Sequence, residues 1–133
     1  MVTQYAADTT HWDAAVSTGL VRIGAGVLLL TKRDFAIRFS GGSPDDQLLR
    51  RLFTFWGFRD IALGVGALAA TRPTGNVPRQ VTYQGVADTV DTAIVAGLVN
   101  QGRLSRTRGY GVTALAAGTA VSGFITAWRL HRA

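Results

Sequence analysis

Five ionisable residues fall near the centres of long apolar stretches: Arg22, Arg59, Asp60, Asp88 and Asp91. Charged side chains at mid-bilayer depth cost about 2.5–3.5 kcal/mol each, so they are expected to face one another inside a helical bundle. Asp88 and Asp91 are three residues apart and share a helix face, whereas the adjacent Arg59 and Asp60 diverge and are not expected to pair face to face. The simplest arrangement sets Arg22 and Arg59 against the Asp88/Asp91 face, with Asp60 reaching one of the same arginines. Two guanidiniums then meet three carboxylates, leaving one acid in excess. Two readings follow. The cluster is buried polar glue that orders the helices, or it lines a pocket for an ion, proton or small ligand.

Other chemistry is poorly supplied. There is no cysteine, which excludes disulfides, thiolate metal sites and cysteine nucleophiles. His11 and His131 lie near the chain ends without partners at ligand spacing, so no metal and no cofactor is expected. Asp88-x-x-Asp91 lacks the companion acids of a diphosphate–magnesium site, and Gly24-x-Gly26 and Gly64-x-Gly66 do not follow strands, as a nucleotide loop would require.

The elements that carry the five residues read as four membrane spans in one domain, residues 1–133: about 14–31, 49–70, 81–100 and 110–128. The 49–70 run is long and apolar enough to cross a ~30 Å hydrocarbon core. Its helix is predicted to begin at Pro44, capped by Ser43 and favoured by Asp45 and Asp46 at the positive end of the dipole. Arg50 and Arg51 would then stand at headgroup level, with Phe53, Phe55, Trp56 and Phe58 just below. The 32–42 segment alternates bases with Phe35, Ile37 and Phe39. It suits a short amphipathic turn in the headgroup region, or an ordinary loop. Residues 71–80, with Pro73 and Pro78, read as a break, and residues 1–13 as a polar leader to the first span.

The 81–100 run is the least apolar. Its seven Val, Ile and Leu residues supply about −2 to −4 kcal/mol, against about 5–7 kcal/mol for ionised Asp88 and Asp91. It needs neighbours that bring positive charge, or protons on its acids.

The net charge of +6 could suggest nucleic acid, but the arginines fall between apolar runs and make no basic helix face. Nucleic acid is therefore not an expected partner; the lipid bilayer is. Eight Lys and Arg residues fall in the 32–51 and 101–109 loops, against four on the opposite side, so the positive-inside rule puts both termini outside the cell membrane. Every acid is an aspartate, and no helical stretch has the Glu/Lys wet face of a soluble bundle. The alternative is a compact soluble domain with the same pattern turned inward.

Helix association in lipid relies on small residues and interhelical hydrogen bonds. Small residues recur at four-residue spacing at Ala62, Gly66 and Ala70, at Ala93 and Gly97, and at Ala114, Gly118 and Ser122. With Gly57 and Gly64 they are the expected packing seams, between helices of one chain or of a homodimer or membrane partner subunit.

The phrases GLVRIGAGVLLL (19–30), GFRDIALGVGAL (57–68) and GVADTVDTAIV (85–95) resemble a family of small four-helix integral membrane proteins, catalogued as a domain of unknown function in actinobacteria and fungi. The family's Gly-x-Arg-Asp-x-x-x-Gly phrase corresponds here to Gly57, Arg59, Asp60 and Gly64, and its acidic phrase to Asp88 and Asp91. The resemblance spans about residues 14–128 and implies an all-α, four-helix transmembrane bundle without a known activity. A weaker likeness to DoxX-like membrane proteins implies the same architecture. The leading expectation is a non-enzymatic membrane protein ordered by its Arg/Asp network. The alternatives are a small dimeric proton-coupled transporter, and a membrane enzyme for a lipophilic substrate with Asp88 or Asp91 as general acid.

Overall fold

The computed structural model describes the backbone of residues 2–111 and 128, and the side chains of residues 12, 13, 15–111 and 128. All regular structure among these residues is helical: α1 (Val2–Thr31), α2 (Arg33–Phe39), α3 (Gln47–Ala70) and α4 (Val77–Asn100). Residues 106–111 are helical too, and most of the expected fourth span, residues 112–127 with Gly118, lies outside the described residues.

Helix boundaries follow capping chemistry, and here the structure corrects several expectations. Asp46, not Ser43, caps α3: its carboxylate accepts from the N–H groups of Leu48 (2.9 Å) and Leu49 (3.3 Å). Pro44 therefore lies before the helix. α4 starts four residues earlier than expected, because Asn76 accepts from the Arg79 N–H and Pro78 falls in the first turn, where no donor is lost. The polar leader is helical as well, and continuous with the first apolar run in α1. The 32–42 segment forms α2, and at Lys32 the chain turns by 99° between α1 and α2.

α2 and α4 end in the same way. Gly41 and Gly102 adopt positive φ (80° and 71°), and each is followed by the paired reverse hydrogen bonds of a Schellman turn. In the first, Gly41 N–H donates to Arg38 O and Gly42 N–H to Ile37 O. In the second, Gly102 donates to Val99 O and Arg103 to Leu98 O, all at 3.0 Å. The two turns pack on each other: a Cβ on Gly41 would lie 2.5 Å from the Ser105 Cβ.

These turns close one end of the structure over an apolar core. Ile37, Leu49, Phe53, Trp56, Val95, Leu98, Val99 and Leu104 are buried together there, drawing on α2, the first half of α3 and the last turns of α4. The same end carries the Asp46–Arg103 ion pair at 2.6 Å. Burial alone would raise the Asp46 pKa, but the Arg103 guanidinium and the two N–H bonds outweigh it and hold the carboxyl below its ordinary 3.8. Its stabilisation is therefore fully present above pH 3.8 and lost as pH falls through the lower folded-state value. Asp46→Ala is expected to lower the thermal midpoint at neutral pH and to flatten its fall on acidification. Superimposable acid profiles for the variant and the parent chain would contradict this.

α1 and α3 run antiparallel and touch backbone to backbone at two places. A Cβ on Gly26 would lie 2.5 Å from Gly57 O, and one on Gly64 would lie 2.5 Å from Gly19 O. The paired glycines are seven residues apart on each helix, which is two turns, so both crossings lie on one face. The four-residue seam expected on α3 is thereby corrected. Gly57 and Gly64 are the contact residues, Ala62 is exposed, and Gly66 packs against the Gln80 side chain of α4. On α4, Ala93 is exposed and nothing among the described residues comes within 4 Å of a Cβ on Gly97.

Candidate functional site: a mid-helix ionic chain

Between the two glycine crossings lies a chain of alternating charges. Arg22 stands midway between Gly19 and Gly26, and Asp60 between Gly57 and Gly64, so the close backbone approach brings them together. Arg22 Nη1 donates to Asp60 Oδ1 at 3.2 Å, and Arg22 Nη2 donates to both oxygens of Asp88, at 2.7 and 2.6 Å. Arg59 Nη2 donates to Asp60 Oδ1 at 2.8 Å, and Arg59 Nη1 donates to Asp91. The order is Asp88–Arg22–Asp60–Arg59–Asp91, crossing three helices. All five side chains are largely buried, between 10% and 18% exposed.

The structure thus brings together every residue of the expected cluster, and sets Arg22 and Arg59 against Asp88 and Asp91. Two details differ. Arg59 and Asp60 do pair, although adjacent helical positions diverge. The Arg59 side chain is long enough to curl its Nη2 back to the neighbouring carboxylate while Nη1 reaches across to α4. Asp60 also contacts both arginines, not one. That sharing gives each of the three carboxylates a guanidinium partner although only two guanidiniums are present. Nε of Arg22 and of Arg59 is buried without a hydrogen-bond partner among the described residues, so both bind through their terminal nitrogens.

A second interhelical bond supports α4. Gln80 Nε2 donates to Leu63 O at 3.1 Å, on the side of the cluster away from the apolar core. The break expected over 71–80 includes Gln80, but the residue lies in the first turn of α4. The seven-residue spacing shared by Gly19/Gly26 and Gly57/Gly64 is present in the sequence, and it, not the four-residue spacing, marks the α1–α3 contact.

What surrounds the cluster is as informative as the cluster. At the same level along the helices the large outward side chains are apolar: Leu20 is 58% exposed, Val21 71% and Val90 52%, while the exposed Thr89 turns its hydroxyl to Gly85 O. α3 is long and apolar enough to cross a membrane, and only 28% of its most apolar stretch is buried in the structure. The bent pair formed by residues 15–31 and α2 meets the same criterion when taken as one broken span. α4, with Asp88 and Asp91 in its middle, does not meet it among the described residues. No group of three or more His, Cys, Asp or Glu able to hold a metal ion occurs among the described residues. Compared with known proteins, the chain matches no family model, no curated protein and no solved structure.

Proposed function

We propose that this chain is a small multi-pass integral membrane protein, a non-enzymatic four-helix bundle whose helix order and register are set by the Asp88–Arg22–Asp60–Arg59–Asp91 chain. One observation carries the reading: at the level of the ionic chain the charge is inside, between 10% and 18% exposed, and large apolar side chains face outward. A soluble bundle reverses this, because water rewards exposed charge and buried Leu and Val. Exposed apolar side chains at the depth of the ionic chain are comfortable in hydrocarbon, while Asp88 and Asp91 reach that depth only with Arg22 and Arg59 beside them. The resemblance of the Gly57–Arg59–Asp60–Gly64 and Asp88/Asp91 phrases to the small four-helix membrane family supports the same architecture. In this reading α2 lies in the headgroup layer, the basic end faces the cytoplasm and both termini face outward.

Membrane fractionation with alkaline carbonate tests the proposal. The chain is expected to stay in the pellet and to leave it only with detergent. Release into the carbonate supernatant, or a monodisperse chain in detergent-free buffer, would refute it.

A further inference from the structure

Where α2 turns back toward α3, an open cavity of about 420 Å³ is lined by Arg33, Gln47, Arg50, Arg51, Thr54, Phe55 and Phe58. Its charge is unbalanced. Arg50 Nη1 donates to Asp34 at 3.0 Å, and Arg33 Nε lies 3.8 Å from the same carboxylate, so two guanidiniums share one acid. Arg51 is exposed and has no ion-pair partner among the described residues. Three cations therefore face a single anion. Arg33 is held in place by donation to Thr54 Oγ1 at 2.8 Å, which pins the α1–α2 elbow to α3.

The rest of the lining is apolar and runs the other way along α3. Phe55 and Phe58 are 59% and 63% exposed, one turn or so deeper than Arg51. Phe35 and Phe39 of α2 are stacked at 6.2 Å and also exposed, beside the same elbow. A surplus of guanidinium above a patch of exposed aromatic rings is complementary to one kind of molecule. It must have a phosphate at one end, hydrocarbon at the other, and no cationic headgroup. We infer that this cavity binds the headgroup phosphate of an anionic phospholipid, with Arg33 and Arg51 on the phosphate and Phe55 and Phe58 along the upper acyl chains.

The inference rests on the membrane reading, and the test keeps the two separable by using lipids short enough to dissolve. The full chain is purified in neutral detergent and titrated with dihexanoylphosphatidylglycerol, dihexanoylphosphatidylcholine or inorganic phosphate, with binding read by native mass spectrometry. Phosphatidylglycerol is expected to bind at least about tenfold tighter than phosphatidylcholine, given roughly fivefold per engaged basic residue. Arg51→Gln, which removes no described contact, should cut that preference about fivefold, and Arg33→Lys should weaken it with Thr54 still within reach of a cation. Phe58→Ala should weaken both lipids equally and leave the preference intact. Arg72→Gln, at the far end of α3, should change nothing. Equal binding of the two lipids, or an unaltered preference in Arg51→Gln, overturns the assignment. Inorganic phosphate binding as tightly as the lipid would assign the site to a free anion and overturns it too. A chain that fractionates as soluble but keeps the arginine-dependent preference refutes the membrane reading and leaves the cavity assigned.

Discussion

Arg22→Met is expected to be among the most damaging single substitutions in the chain, and more damaging than Asp88→Asn. Arg22 holds two carboxylates, Asp60 and Asp88, on two different helices. Its loss leaves Asp88 buried without a counter-charge, and stranding one member of a buried pair costs about 3–5 kcal/mol. An interhelical hydrogen bond in lipid is worth only ~0.6–2 kcal/mol, so the stranded charge and not the lost bond decides the outcome. Set against total stabilities of ~5–15 kcal/mol, that is enough to deplete the folded chain. Asp88→Asn is different in kind. The cluster then has two cations and two anions, Arg22 keeps Asp60, and an amide can still accept from the guanidinium. The expected order of membrane accumulation and of thermal midpoint in detergent is therefore parent, Asp88→Asn, Arg22→Met. The double variant should recover part of the loss of Arg22→Met, because the stranded charge is gone. Arg22→Met as stable as the parent, or a double variant worse than either single, would show that the ionic chain does not hold the helices.

Gly26→Ala and Gly24→Ala, two residues apart, should have opposite effects. The new Cβ at position 26 would sit 2.5 Å from Gly57 O and 2.9 Å from Ile61 N, both backbone atoms that cannot swing aside. α1 and α3 would have to separate, and overpacking of this kind costs about 1–3 kcal/mol. The separation would also pull Arg22 from Asp60, whose 3.2 Å bond lies one turn away. At position 24 nothing lies within 4 Å of the new Cβ, and replacing a mid-helix glycine gains about 0.5–1 kcal/mol. Thermal unfolding in detergent should place the two variants on either side of the parent. If both shift in the same direction, the glycine crossings are not the close contacts described.

The charged cluster was legible because its physics is local in character: an ionisable residue in the middle of an apolar run is costly wherever that run goes, so Arg22, Arg59, Asp60, Asp88 and Asp91 announce a need for one another. Asp88 and Asp91 share a face by helical spacing alone, which is why their side of the arrangement could be written down in advance. Helix ends were less legible. Ser43 and Asp46 are both competent caps, and the Arg103 guanidinium, 57 residues further on, supports the second of them. Pro78 reads equally as a break or as a first-turn residue, and the Asn76 cap decides in favour of the helix.

Residue order alone settles which segments are apolar, where charge interrupts them, and that the interruptions balance to within one carboxylate. How the shortage is met depends on the packing of the helices. Asp60 serves both arginines because Gly19, Gly26, Gly57 and Gly64 let two helix backbones touch on either side of it, a distance between elements that no local pattern encodes. The same holds for the cavity beside Arg33, Arg50 and Arg51, which exists because the chain turns sharply at Lys32 and folds α2 back against the start of α3.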